Sequence, residues 1–143
     1  MFSKLNLQYF LSYMGLIPFI IIIFNKYLPF QIDHNIISDF IIFYTLIIVV
    51  FIGAINWNLE KKIENIKIIY GFIPSLFATI LILLNLFDFN FYLLISLLIL
   101  FLIFQLICDY FLIYINFKKS RAFIYVRVPL TLIIILIILF IEF

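Results

Sequence analysis

With 143 residues, 69% of them hydrophobic and 11% charged, the chain is far from the make-up of a soluble domain, which carries roughly 45–50% apolar and about 25% charged residues. Its length suits a single domain, and a net charge of +2 offers no basic surface for nucleic acid. Cys108 is the lone cysteine, which excludes an internal disulfide and leaves no cysteine-based metal site.

The charged residues stand in clusters, separated by stretches close to the ~20 apolar residues that cross a ~30 Å bilayer core as helix. They predict an all-α, polytopic membrane helix bundle with five transmembrane helices, at 8–24, 40–58, 68–87, 91–114 and 122–141. These form one integral-membrane domain over 1–143.

The first stretch follows Lys4 and imitates a signal peptide. Its apolar run continues to Phe24 with no small-residue cleavage site after it, so a retained span is expected. It contains Gly15-Leu16-Ile17-Pro18, and the third span repeats the pattern as Gly71-Phe72-Ile73-Pro74, each closely preceded by a tyrosine (Tyr13, Tyr70). A proline inside a helix removes a hydrogen bond and loosens the preceding turn. One reading is a pair of hinged half-helices flanking a substrate site. The other, preferred because the shared pattern is short, is two kinks at Gly15, Pro18, Gly71 and Pro74 that help neighbouring helices pack.

Before the second span lies His34, the only histidine, beside Asp33. That is too little for a metal site or a proton relay, and a solvated loop residue is expected. In the second span Gly53 and Trp57 are four residues apart and share a face, predicting a close helix contact and an interfacial tryptophan. Other aromatic residues near span ends, Tyr27, Tyr44, Tyr70, Tyr92 and Tyr125, are expected as interfacial anchors. Asp88-Phe89-Asn90 is the only polar break between spans three and four, which predicts a tight antiparallel hairpin.

Gln105 and Asp109, spaced i and i+4, share one face near the end of the fourth span. Arg127 falls inside the start of the fifth, followed closely by Pro129 and Thr131. An unpaired charge at such depth is costly, and consecutive antiparallel spans bring Asp109 and Arg127 to similar depth. A partly buried Asp109–Arg127 ion pair is expected, with Gln105 one turn deeper. It serves either as a proton- or anion-sensitive polar site or, preferably, as a clamp fixing the register of the two helices.

Lys4, Lys61, Lys62, Lys67, Lys118, Lys119, Arg121 and Arg127 fall on one side of a five-span arrangement, and only Lys26 on the other. Basic residues in short loops stay cytoplasmic, so the N-terminus is expected inside and the C-terminus outside. No Ser-His-Asp set or phosphate-cradling glycine loop is evident, so no catalytic, cofactor-binding or metal residues are assigned and an enzyme is not expected.

In order along nearly the whole chain, Gly15-Leu16-Ile17-Pro18-Phe19, Gly53-Ala54-Ile55-Asn56-Trp57, Ile73-Pro74-Ser75-Leu76, Gln105 with Asp109, and Arg127 with Thr131 resemble the transmembrane protein 69-like family, also called domain of unknown function 3429. The chain departs from that pattern at Asn56, where a basic or aromatic residue would precede the tryptophan, and at Asn58, where a further glycine would follow it. Ala122-Phe123-Ile124-Tyr125 also replaces a Pro-Trp-Tyr-like approach to Arg127. The resemblance implies a small polytopic membrane protein, bacterial or mitochondrial, with no established activity.

Residues and resemblance together lead to the expectation of a multi-pass protein of the bacterial inner membrane with a structural, assembly or accessory role. Its expected partners are the lipid bilayer and a membrane protein or a second copy of the chain. The alternative is a small carrier or channel for a small solute or ion, with its polar site around Asp109 and Arg127.

Overall fold

The computed structural model describes residues 4–25, 32–55, 65–115 and 123–142. These are helical with short turns: α1 (Lys4–Met14), α2 (Ile17–Ile23), α3 (His34–Ile55), α4 (Asn65–Leu86), α5 (Phe91–Asp109) and α6 (Val128–Glu142). α5 runs on into a wider π-helical stretch, Tyr110–Ile115, and a second one, Phe123–Arg127, leads straight into α6. Four apolar helices among the described residues are long enough to cross a membrane: His34–Ala54, Ile68–Leu86, Phe91–Leu112 and Phe123–Glu142, of 21, 19, 22 and 20 residues. At ~1.5 Å per residue each reaches about the ~30 Å of a hydrocarbon core.

The predicted first span, 8–24, is not one helix. α1 and α2 meet at Gly15-Leu16, where the Leu16 N–H turns back to the Tyr13 carbonyl at 3.0 Å. Pro18 falls in the first turn of α2, where a missing N–H breaks no bond. The apolar helical run there, Tyr9–Ile23, is shorter than the other four. Pro74, in the matching pattern, lies inside the unbroken α4. The helix of the second predicted span, α3, begins at His34, six residues ahead of the expected start, because Asp33 caps it. Its Oδ1 accepts the Asn35 N–H at 2.8 Å and its carbonyl the Ile37 N–H at 3.1 Å.

The chain divides into two compact units, Met1–Ile41 with Leu102–Phe143, and Ile42–Phe101. In the second, Ile42, Leu46, Val49 and Gly53 form a buried stripe on α3, and Tyr70, Pro74, Ala78 and Leu81 form one on α4. Tyr70 is therefore a core residue, not an interfacial anchor. At Gly53 the two helices approach closely. A Cβ there would stand 2.7 Å from Pro74 Cγ and 3.0 Å from the Gly71 carbonyl oxygen. The small-residue approach common between membrane helices is thus made by a glycine facing a proline ring. Hydroxyls along these helices bond their own backbone, as Thr79 Oγ1 does to the Ser75 carbonyl at 2.9 Å and Ser96 Oγ to that of Tyr92 at 2.8 Å. That satisfies them without water.

α4 ends in a Schellman turn. The Phe89 N–H reaches the Leu84 carbonyl and the Asp88 N–H that of Asn85, both at 3.1 Å, with Asp88 at a φ of 52°. Asn90 then opens α5, its Oδ1 accepting the Leu93 N–H at 3.2 Å. The break at 88–90 is thus a C-cap followed at once by an N-cap. Phe77 of α4 stacks on Phe101 of α5 with ring centroids 3.8 Å apart and planes 7° from parallel, which ties the hairpin together along its length.

Candidate functional site

In the first unit, Leu102, Gln105 and Asp109 continue one buried stripe of α5, while Thr131, Ile134 and Ile138 form that of α6. Arg127 stands four residues before Thr131, on the same side of its helix. The structure brings Asp109, Arg127 and Thr131 into one hydrogen-bonded group. Arg127 Nε donates to Asp109 Oδ2 at 2.5 Å, with the carboxylate side chain 1% exposed and the arginine 14%. Arg127 Nη1 donates to Thr131 Oγ1 at 3.1 Å, and that hydroxyl donates in turn to the Arg127 carbonyl at 2.9 Å. Thr131 therefore braces both ends of the residue that holds Asp109. Gln105, fully buried, lies one turn away along α5.

Both charged residues sit where the helical winding changes. Asp109 is the last residue of α5 before the π-helical stretch, and Arg127 the last of the π-helical turn before α6. Wider turns of this kind recur at functional sites. A local cause for the second is Pro129, which has no N–H to give the carbonyl four residues back, that of Tyr125. Tyr13 of α1 supplies the missing donor, its hydroxyl meeting that carbonyl at 2.5 Å. Phe123 closes the same turn, buried and with its ring tilted against Tyr110 at 6.0 Å.

What this group can do is limited by how many of its donors are already engaged. The guanidinium is committed through Nε and Nη1, while Nη2 is buried with no partner and remains as a donor for an oxygen ligand. No group of three or more His, Cys, Asp or Glu suited to a metal ion occurs among the described residues.

The other residues singled out from sequence fall elsewhere. Gly53, Gly71 and Pro74 meet in the second unit, Gly15 and Pro18 form the α1–α2 break, and Trp57, with the basic residues of 61–62 and 118–121, lies outside the described residues. His34 is not a loop residue. It is the first residue of α3, exposed, with Nδ1 3.1 Å from Ser38 Oγ. The roles of Tyr13, Ser38 and Glu142 had no signal in the sequence, because each depends on a partner far along the chain.

Long apolar helices and a charge pair folded in between two of them define a helical membrane protein. The chain belongs to the family described as "Protein of unknown function (DUF3429)", whose model matches residues 6–142. Comparison with curated proteins returns no match, and comparison with solved structures returns none.

Proposed function

We propose that the chain is a multi-pass protein of the bacterial inner membrane with a structural, assembly or accessory role rather than an enzymatic one. The observation that carries this is the closed state of the buried Asp109–Arg127 ion pair: Asp109 is 1% exposed and answered by Arg127, which Thr131 braces. Such a pair serves as a register clamp between α5 and α6. α1 and α2 together make a fifth crossing, a reading supported by the apolar run Tyr9–Ile23. The basic residues support an N-terminus in the cytoplasm and a C-terminus in the periplasm. A likeness to transmembrane protein 69 is consistent with the family match and supplies no activity. The partner is a membrane protein or a second copy of the chain.

A small carrier or channel is the second reading, favoured by the buried, unpartnered Nη2 of Arg127, which an anionic or carbonyl oxygen would satisfy. Affinity purification in mild detergent, with the double charge swap Asp109→Arg/Arg127→Asp beside each single reversal, tests between them. Under the leading reading the single reversals lose membrane-inserted protein, the double swap regains it, and a stoichiometric partner copurifies with both wild type and double swap. A monodisperse monomer without any partner, moving a solute in vesicles in the wild type but not in the double swap, would overturn it.

A further inference from the structure

At the opposite end of α6 a second polar group joins residues 104 positions apart. Ser38 Oγ donates to Glu142 Oε2 at 3.2 Å and lies 3.1 Å from His34 Nδ1. The three differ in their access to water. His34 is exposed, Ser38 is 5% exposed, and Glu142 is half-buried, with Oε1 closed off from solvent and without a hydrogen-bond partner. Among the described residues, the other titratable groups on α3 and the residue before it are Asp33 and Asp39, both exposed, and Tyr44 further along the helix. α2 and the rest of α6 carry none.

Donor counting makes this arrangement directional. A serine hydroxyl has one proton and can give it one way at a time. While it is given to Glu142, Ser38 can only accept from His34, so Nδ1 must carry a proton. If Glu142 is protonated on Oε2, the hydroxyl turns round and donates to an Nδ1 that has none. The same heavy atoms fit both states without moving.

We infer that His34, Ser38 and Glu142 form a proton-binding site in which one proton is shared between imidazole and carboxylate through the serine hydroxyl. In the transfer the Nδ1–H bond of the imidazolium breaks as Ser38 Oγ takes that proton, and the Ser38 O–H bond breaks as Glu142 Oε2 takes the other. The imidazole is left neutral with its proton on Nε2, the carboxylate becomes a neutral acid, and no oxidant or reductant is needed. The exposed ring exchanges its proton with water, and Ser38 carries the exchange inward to Glu142. A carboxylate with one oxygen shut off from solvent and without a protein donor is costly to keep charged, which gives the proton a reason to move. The site is separate from the Asp109–Arg127 pair and does not rest on the role proposed for it.

His34 is the only histidine in the chain, so its ring nitrogens can be followed by NMR in detergent-solubilised protein without ambiguity. Groups that share a proton titrate in steps belonging to the pair. In the wild type His34 should titrate in two steps, and in Glu142→Gln in one. Ser38→Ala should also show one step, and Ser38→Thr, which keeps the hydroxyl, should restore two. A hydrogen bond that only ties the helix ends would leave the number of steps unchanged. The same titration in wild type and Glu142→Gln overturns the inference. Should Glu142→Gln fail to fold, identical titrations in Ser38→Ala and Ser38→Thr overturn it equally.

Discussion

The hydroxyl of Tyr13 donates at 2.5 Å to the carbonyl of Tyr125, the carbonyl that Pro129 leaves without its usual helical donor. A residue of α1 thus repairs the backbone next to Arg127, and the two effects belong to one local circuit. Tyr13→Phe should destabilise the protein by about 1 kcal/mol, the worth of one hydrogen bond. In a Pro129→Ala background the backbone regains its own N–H, and the same substitution should cost less. Thermal unfolding in detergent, followed by circular dichroism over the four-member cycle, reads the coupling, expected at about 0.5–1.5 kcal/mol. Additive losses would show that the hydroxyl does not serve the proline gap.

Gly53 faces the proline of the neighbouring helix with no room for a methyl group. An alanine Cβ would press on Pro74 Cγ at 2.7 Å and the Gly71 carbonyl at 3.0 Å, neither of which can swing aside as a flexible side chain would. Gly53→Ala should cost about 1–3 kcal/mol through forced separation of α3 and α4, and Gly53→Leu more. Gly15→Ala, where the nearest obstacle is the Ser12 carbonyl at 3.2 Å, should cost less in the same unfolding assay. An equal loss at both positions would mean that packing against Pro74 is not what Gly53 provides.

These contacts mark how far sequence alone reaches. The hairpin at Asp88-Phe89-Asn90 is legible because polar residues interrupt an apolar stretch too long to be one helix. Asp109 and Arg127 stand inside apolar stretches where unpaired charge is costly, and the arrangement of consecutive helices brings them together. The two Gly-x-Ile-Pro patterns show the limit. The same letters break the chain at Gly15 and leave α4 continuous through Pro74, because surroundings and not the letters decide whether a proline ends a helix. The early start of α3 was legible in principle, since Asp33 is a good N-cap, but polar Ser38 and Asp39 outweigh it in an apolar count. Glu142 reads as an end-of-span charge, and no local pattern pairs it with Ser38, 104 residues away.

The ion pair makes a sharper prediction about clamp and function. Removing one partner leaves the other charge buried, so Asp109→Leu or Arg127→Met alone should destabilise by about 3–5 kcal/mol. Removing both replaces a desolvated pair with apolar contacts, and Asp109→Leu/Arg127→Met should recover most of that loss. The measurement is unfolding in detergent, together with the amount of partner copurified. A double variant that is stable and still binds its partner marks the pair as a clamp alone. One that is stable but has lost the partner places the charges in the interaction.

Asp88 offers a test of the α4–α5 turn itself. It holds a φ of 52° at the C′ position of the Schellman turn, where a Cβ is disfavoured by roughly 1–2 kcal/mol and glycine is not. Aspartate is among the few other residues that tolerate this conformation, and its charge keeps the turn at the water boundary. Asp88→Gly should leave the fold intact and raise the unfolding temperature slightly. Asp88→Val should lower it, because a β-branched side chain crowds the backbone in the left-handed region. Asp88→Asn, which suits the same φ without charge, separates conformation from boundary. If Asn matches Asp while Val falls, the backbone angle sets the residue; if Asn falls with Val, the charge does.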